Sequence, residues 1–272
     1  MERRQPSRTL SNGLNIKTVN MLKKTVILIS LVIWSSLAIA QVNRFEYKGS
    51  RVLMDSTWNT PEEPVVKGII AKYKPEMDKK MQEVIGVSVK EMRSARPESL
   101  LSNFAADAMV DFASSRTSRK VDFALTNFGG IRAALPAGNI RLYDIYSVFP
   151  FENYVVILDL KGKTVRALFE SFAKNRVEAL SDNVRLEIDE TDRTLKSALI
   201  NGKPVDDNKI YRIVTIDFLL SGGDNVVALK DAVAIEETGL LIRDAIIEKI
   251  ATLTAKGEKI GSVISGRVKY SD

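Results

Sequence analysis

From Glu63 to Tyr270 segments of helical period alternate with segments of strand period, and that alternation restricts the fold more than any other feature of the chain. Val66, Ile69, Ile70, Tyr73, Met77 and Met81 recur at helical spacing with charges between them. They predict a long amphipathic helix over 63–81, with Pro75 as a candidate kink and the apolar stripe in the core. A strand is expected over 84–89. A second helix begins near Ser99, where Leu100, Phe104, Ala108 and Phe112 share a face with Leu101, Ala105 and Met109. Residues 121–126 read as a short buried strand and 154–160 as a β-branched one. A turn at Lys161-Gly162-Lys163 then leads to a helix through Val165, Leu168, Phe169 and Phe172. Strands follow at 185–189, at 195–200 with an Asn201-Gly202 hairpin turn, and at 209–216. The last helix is expected over 239–254. This interleaving predicts an α/β (α+β) fold, a single compact domain with a mixed β-sheet and flanking helices.

The 272 residues are 45% hydrophobic and 27% charged, enough for a sizeable core and without the signature of disorder. The formal charge of +6 arises mostly in the first 40 residues, which hold six Lys/Arg and one Glu. The other 232 carry 34 basic and 33 acidic residues, or +1, and no nucleic-acid footprint. Lys23-Lys24, the apolar run Val26–Trp34 and Ala38-Ile39-Ala40 read as a secretory signal cut after Ala40, with Met21 as an alternative start. The alternative is an uncleaved anchor. Residues 1–40 are thus a leader, 41–63 an irregular lead-in and 64–272 the domain. The absence of cysteine excludes a disulfide framework and thiolate metal sites, and export without disulfides suits a bacterial periplasm.

Three segments carry chemistry. Asn127-Phe128-Gly129-Gly130-Ile131-Arg132 follows a buried strand, where glycine admits a ligand to the backbone and arginine can meet its anion. Such glycine pairs also serve as plain turns. Phe149-Pro150-Phe151-Glu152-Asn153 sets an aromatic ring and an amide two residues apart, so in extended chain Phe151 and Asn153 share a side. Phe149 reads as core. Phe218 precedes Ser221-Gly222-Gly223-Asp224, whose carboxylate can accept from two hydroxyls or merely cap a turn.

Together with the Asp-Ala-Met helix at Asp107 and the Leu160-Lys161-Gly162 turn, these segments resemble the C-terminal, substrate-binding domain of the 5′-nucleotidases, over most of residues 64–270. The resemblance implies that Phe151 and Phe218 sandwich a nucleobase, that Asn127 and Asn153 hydrogen-bond it, and that Asp224 binds ribose. It implies that Arg132 contacts phosphate, with Gly130 and Gly223 in the binding loops and Arg93 and Arg96 as further candidates for phosphate. Phe128 stands where the family often has a third glycine. Full-length relatives place a two-metal phosphoesterase domain in front. This chain has no histidine or cysteine, and its leader shows no such pattern.

The expectation is therefore a periplasmic nucleotide-recognition subunit for nucleotide catabolism. It would bind no cofactor itself and work with a separately encoded metallophosphatase chain that supplies divalent metals. Its ligand would be a nucleotide or nucleotide-sugar, with no nucleic acid and no membrane contact after cleavage. The rival reading is a free-standing nucleotide or nucleoside binding protein.

Overall fold

The computed structural model describes residues 16–38, 47–59 and 63–272. The expected cleavage after Ala40, residues 1–15 and the lead-in stretches 41–46 and 60–62 lie outside the described residues. The chain divides into two units at Glu62/Glu63. In the first, helix α1 (Ile16–Ala38) contains the apolar run of the expected leader. A 3-10 turn at Ser56–Asn59 is closed by Thr57 donating to the Asp55 carboxylate. No helix among the described residues is long and apolar enough to cross a membrane.

The helices of the second unit are α2 (Pro64–Met81), α3 (Leu100–Ser114), α4 (Leu142–Val148), α5 (Gly162–Lys174), α6 (Asp217–Leu220) and α7 (Ile242–Ala255). Its strands are β1 (Val84–Ser88), β2 (Phe123–Thr126), β3 (Gly138–Arg141), β4 (Tyr154–Lys161), β5 (Ala179–Leu180), β6 (Val184–Asp189), β7 (Leu195–Ile200), β8 (Lys203–Pro204), β9 (Ile210–Ile216), β10 (Ala234–Leu241) and β11 (Val268–Ser271). The α/β expectation holds, with more than one sheet. A two-stranded sheet pairs β1 with β3, a five-stranded one runs β10-β4-β9-β2-β5, and a four-stranded one runs β11-β6-β7-β8.

Local sequence explains many of these boundaries. Glu63 accepts from the Val66 N–H at 2.7 Å, and Pro64 occupies the first turn of α2, where its missing N–H costs nothing. Ser99 and Ser102 form a reciprocal cap on α3. Asn201 and Gly202, both at positive φ (52° and 74°), make the expected hairpin turn between β7 and β8. The core lies between helices and sheets: α3 and α5 bury Phe104, Phe112, Phe169 and Phe172, and Phe169 meets Phe123 of β2 at 5.6 Å between ring centres.

Three expectations are corrected. The stripe of α2 is not core: Val66, Ile69, Ile70, Tyr73 and Met77 are each more than half exposed, and no α2 residue is buried. Periodicity shows that a face is apolar without saying what covers it, and in this unit α2 meets the short helix α4. Residues 239–241 end a strand instead of starting a helix, because β10 is an edge strand whose exposed Glu236 and Glu237 break the apolar alternation. Gly162 and Lys163 are the first turn of α5, not a separate turn.

The five-stranded sheet brings distant segments together. β2 and β9 run parallel, with Ala124 opposite Val214, while β4 runs against β9 with Val155 opposite Ile216. The chain therefore leaves β2 at Asn127, leaves β9 at Asp217-Phe218 and enters β4 from Asn153 at one edge of the sheet. β5 sets Ala179 opposite Thr126, which puts Glu178 beside Asn127. A ligand site where several strands end in loops is a recurring outcome of such sheets.

Candidate functional site

At this edge Asn127 is 5% exposed, and its Nδ2 donates to Asp224 Oδ2 at 2.7 Å. A carboxylate only accepts, so this bond fixes the orientation of the amide. Asn127 Oδ1 is left buried with no hydrogen-bond partner among the described residues. Buried acceptors are rarely left unpaired, since each costs about 1–3 kcal/mol of desolvation. Gly130 lies so close that a Cβ there would stand 2.6 Å from that same Oδ1. Asn127, Gly130, Phe149, Phe151, Asn153, Thr126 and Ile242 line a cleft too narrow to hold a water molecule.

Two aromatic rings stand at the surface beside this cleft. Phe151 is 47% exposed and Phe218 is 43% exposed, whereas Phe149 is buried as the sequence suggests. The Arg132 guanidinium is 5.9 Å from the centre of the Phe151 ring. Phe218 leans on Gly223, where a Cβ would fall 2.4 Å from the ring. Asp224 itself adopts a left-handed conformation (φ 50°, ψ 27°), as does Asn225 (φ 64°). Holding a non-glycine residue there costs about 1–2 kcal/mol, a burden that tends to collect at binding sites.

Several positioning residues carry no local sequence signal. Arg243 of α7 is buried and donates from Nη1 to the carbonyls of Phe149, Pro150 and Phe151 at 3.2–3.3 Å. It thereby clamps the loop that presents Phe151. Asp217 Oδ1 accepts from the N–H groups of Tyr154 and Phe218, tying the start of β4 to the end of β9. Glu178, 1% exposed, accepts from the Phe128 N–H at 2.7 Å and from Arg96 Nη2 at 2.5 Å. Burial, reinforced by the charge of Asp224, pushes its pKa up, against the pull of the Phe128 amide and Arg96.

The predicted residues are thus partly assembled. Asn127, Gly130, Phe151 and Asn153 share the cleft, Asp224 joins it through Asn127, and Phe218 and Gly223 pack on each other. Arg132 is exposed beside Phe151 and does not line the cleft. Arg96 stacks on Phe128 at 4.4 Å and is bound to Glu178. Arg93 is exposed and pairs with Glu91 at 2.8 Å. Among the described residues no group of three or more His, Cys, Asp or Glu is placed to hold a metal ion.

Comparison with known proteins identifies the family. The family model described as "5′-nucleotidase, C-terminal domain" matches residues 81–231. The chain is 28% identical over 229 residues to the trifunctional nucleotide phosphoesterase protein YfkN of Bacillus subtilis, covering 78% of this chain and 15% of that one. It is 33% identical over 141 residues to protein UshA of Yersinia enterocolitica, covering 49% of this chain and 25% of the other. The 5′-nucleotidase precursor of Thermus thermophilus superposes with a TM-score of 0.65 at 26% identity, over 83% of this chain and 46% of its own. The chain therefore spans less than half the length of each of these relatives. It belongs to the 5′-nucleotidase C-terminal domain family.

Proposed function

We propose that this chain is an exported nucleotide-recognition subunit that presents nucleotide or nucleotide-sugar phosphates to a separately encoded metallophosphatase chain. The observation that carries the reading is the buried Asn127 Oδ1, unpartnered beside two half-exposed phenylalanines and a left-handed aspartate. In this reading Phe151 and Phe218 stack on the two faces of the base, a geometry in which π surfaces bind with little sequence preference. With this narrow cleft widened by the entering ring, Asn127 Oδ1 accepts from a base N–H and Asn153 contacts the same edge. Asp224 accepts from ribose hydroxyls, and Arg132 meets the phosphate.

Stacking supplies binding energy away from the reacting phosphorus, while the arginine holds the phosphate in line for the partner's metals. A chain without histidine or cysteine supports a division of labour in which the metals belong to the partner. Lys23-Lys24 and the apolar run of α1 support export.

Calorimetric titration of the protein with AMP, UMP, UDP-glucose and adenosine tests the reading, followed by a phosphate-release assay with Mn²⁺. Binding without turnover is expected, with turnover appearing when the metallophosphatase chain is added. Turnover by the single chain would overturn the division of labour, and binding that no phosphatase chain converts to turnover would favour a free-standing binding protein.

A further inference from the structure

Helix α2 carries a surface that the role above leaves unused. Val66, Ile70, Tyr73 and Met77 follow one another at steps of four, three and four residues, which sets them in one line along the helix, with Ile69 beside them. All five are more than half exposed. The helix meets α4, where Tyr143 and Tyr146 are exposed as well. A contiguous apolar patch with aromatic residues, rimmed by charge, marks a place where another molecule binds.

The position of α2 in the chain points to the occupant. The matches to YfkN and to the Thermus nucleotidase are both too long to fit within the residues that follow α2, so both relatives carry a counterpart of this helix. The shared domain is C-terminal, and the remainder of the Thermus protein therefore joins it through this end. Charge argues against a second copy of the chain. The helix holds five lysines against Glu76 and Asp78, a net +3, and two copies would bring that charge face to face. The patch is also connected to the ligand site through α4. The Tyr146 ring lies 4.7 Å from the Arg243 guanidinium, which holds the carbonyls of Phe149, Pro150 and Phe151. A molecule seated on α2 and α4 is thus one arginine away from the loop that presents Phe151.

We propose that the apolar face of α2, extended by α4, is the docking surface for the metallophosphatase chain, which meets it with an apolar groove rimmed by acidic side chains. The proposal rests on the division of labour above and names the surface through which it operates. An interface inside one chain is helped by the covalent linkage, which keeps the local concentration high; between separate chains the contact must hold by itself. A line of large apolar side chains left open to solvent, with lysines beside it, suits that demand.

The test combines turnover and sedimentation for wild type, Ile70→Glu and Tyr73→Glu, with AMP, Mn²⁺ and the metallophosphatase chain that confers turnover in the assay above. Both variants are expected to raise the concentration of that chain needed for half-maximal turnover by about tenfold or more, with calorimetric AMP affinity and turnover at saturation unchanged. The same half-maximal concentration in all three proteins overturns the docking face and leaves the division of labour standing. If AMP binds and no metallophosphatase chain confers turnover, the division of labour fails and the docking face fails with it. The protein alone should sediment as a monomer in all three forms and unfold at the same urea concentration. A wild-type dimer that both variants dissolve would give the face to a second copy, and a lowered urea midpoint in both variants would give it to the chain's own residues; either result overturns the proposal.

Discussion

Two polar clusters in this domain use the same residue types and differ in completeness. In the first, Arg267 is 2% exposed and grips both oxygens of Asp107 at 2.9 and 2.7 Å while donating to the Leu180 carbonyl at 2.7 Å. Glu98 beside it accepts from the N–H groups of Ser265 and Arg267 and from Asn103 Nδ2, at 2.7–2.8 Å. Asn103 also donates to the Val263 carbonyl at 2.8 Å. In the second cluster Asn127 has an acceptor with no partner, Asp224 holds a left-handed backbone and two phenylalanine rings stand half in solvent. The first ties the approach to β11 onto α3, and every group has its counterpart. The second is unfinished in the way a ligand would finish it. Completeness of hydrogen bonding, more than burial or charge, separates the strut from the site.

The largest effect is expected in the strut. Arg267→Met removes one partner from a buried network and should cost about 3–5 kcal/mol of stability, read by urea unfolding. A cost below about 1 kcal/mol, the scale of surface pairs, would erase the distinction between the two clusters. Phe151→Ala and Phe218→Ala should do the reverse, weakening nucleotide binding by about 1–3 kcal/mol while the stability of these half-exposed positions changes by less than about 1 kcal/mol. Affinity untouched in both variants would rule out the stacking assignment.

A smaller effect sharpens the contrast within the site. Asp224→Gly relieves a left-handed residue, so stability should hold or rise by up to about 1 kcal/mol despite the lost bond to Asn127. Ribonucleosides should lose more affinity than the corresponding free bases. Equal losses for both would mean that the carboxylate does not contact ribose.

The sequence displayed much of this, and what it hid has a physical reason. Helices with their own caps, such as α3, and a turn with its own backbone demand, Asn201-Gly202, were legible because the information is local. Phe151, Phe218 and Asp224 were legible because rings and glycine loops announce unusual exposure and conformation. Arg243 was not: it contacts carbonyls more than 90 residues earlier in the chain, and an arginine in the first turn of a helix looks like any solvated one. Glu178 was hidden likewise, because its burial comes from the pairing of β5 with β2. The apolar face of α2 was misread for the complementary reason, since a period shows a face and only packing shows a partner.

The finest distinction lies in how two buried glutamates answer pH. For Glu98 burial pushes the pKa up, but the donors from Ser265, Asn103 and Arg267 outweigh it and hold the carboxyl below its ordinary 4.5. For Glu178 burial prevails, helped by the charge of Asp224, and the carboxyl lies above 4.5 despite Phe128 and Arg96. A group whose pKa falls on folding releases its proton more readily in the native state, so its stabilisation is present above the unfolded value and disappears as pH falls through the folded one. A group whose pKa rises binds its proton more tightly when folded, so its stabilisation is complete below the unfolded value and is lost as pH climbs through the folded one. The stability difference between wild type and Glu98→Gln should therefore widen from acid toward neutral pH, while that between wild type and Glu178→Gln should narrow on moving upward from 4.5. Urea unfolding of the three proteins from about pH 3 to 7 measures both slopes, small as each is. Slopes of the same sign would show that the donors around Glu178 satisfy it as fully as those around Glu98, and the contrast between a completed cluster and an open one would fail where it is drawn most finely.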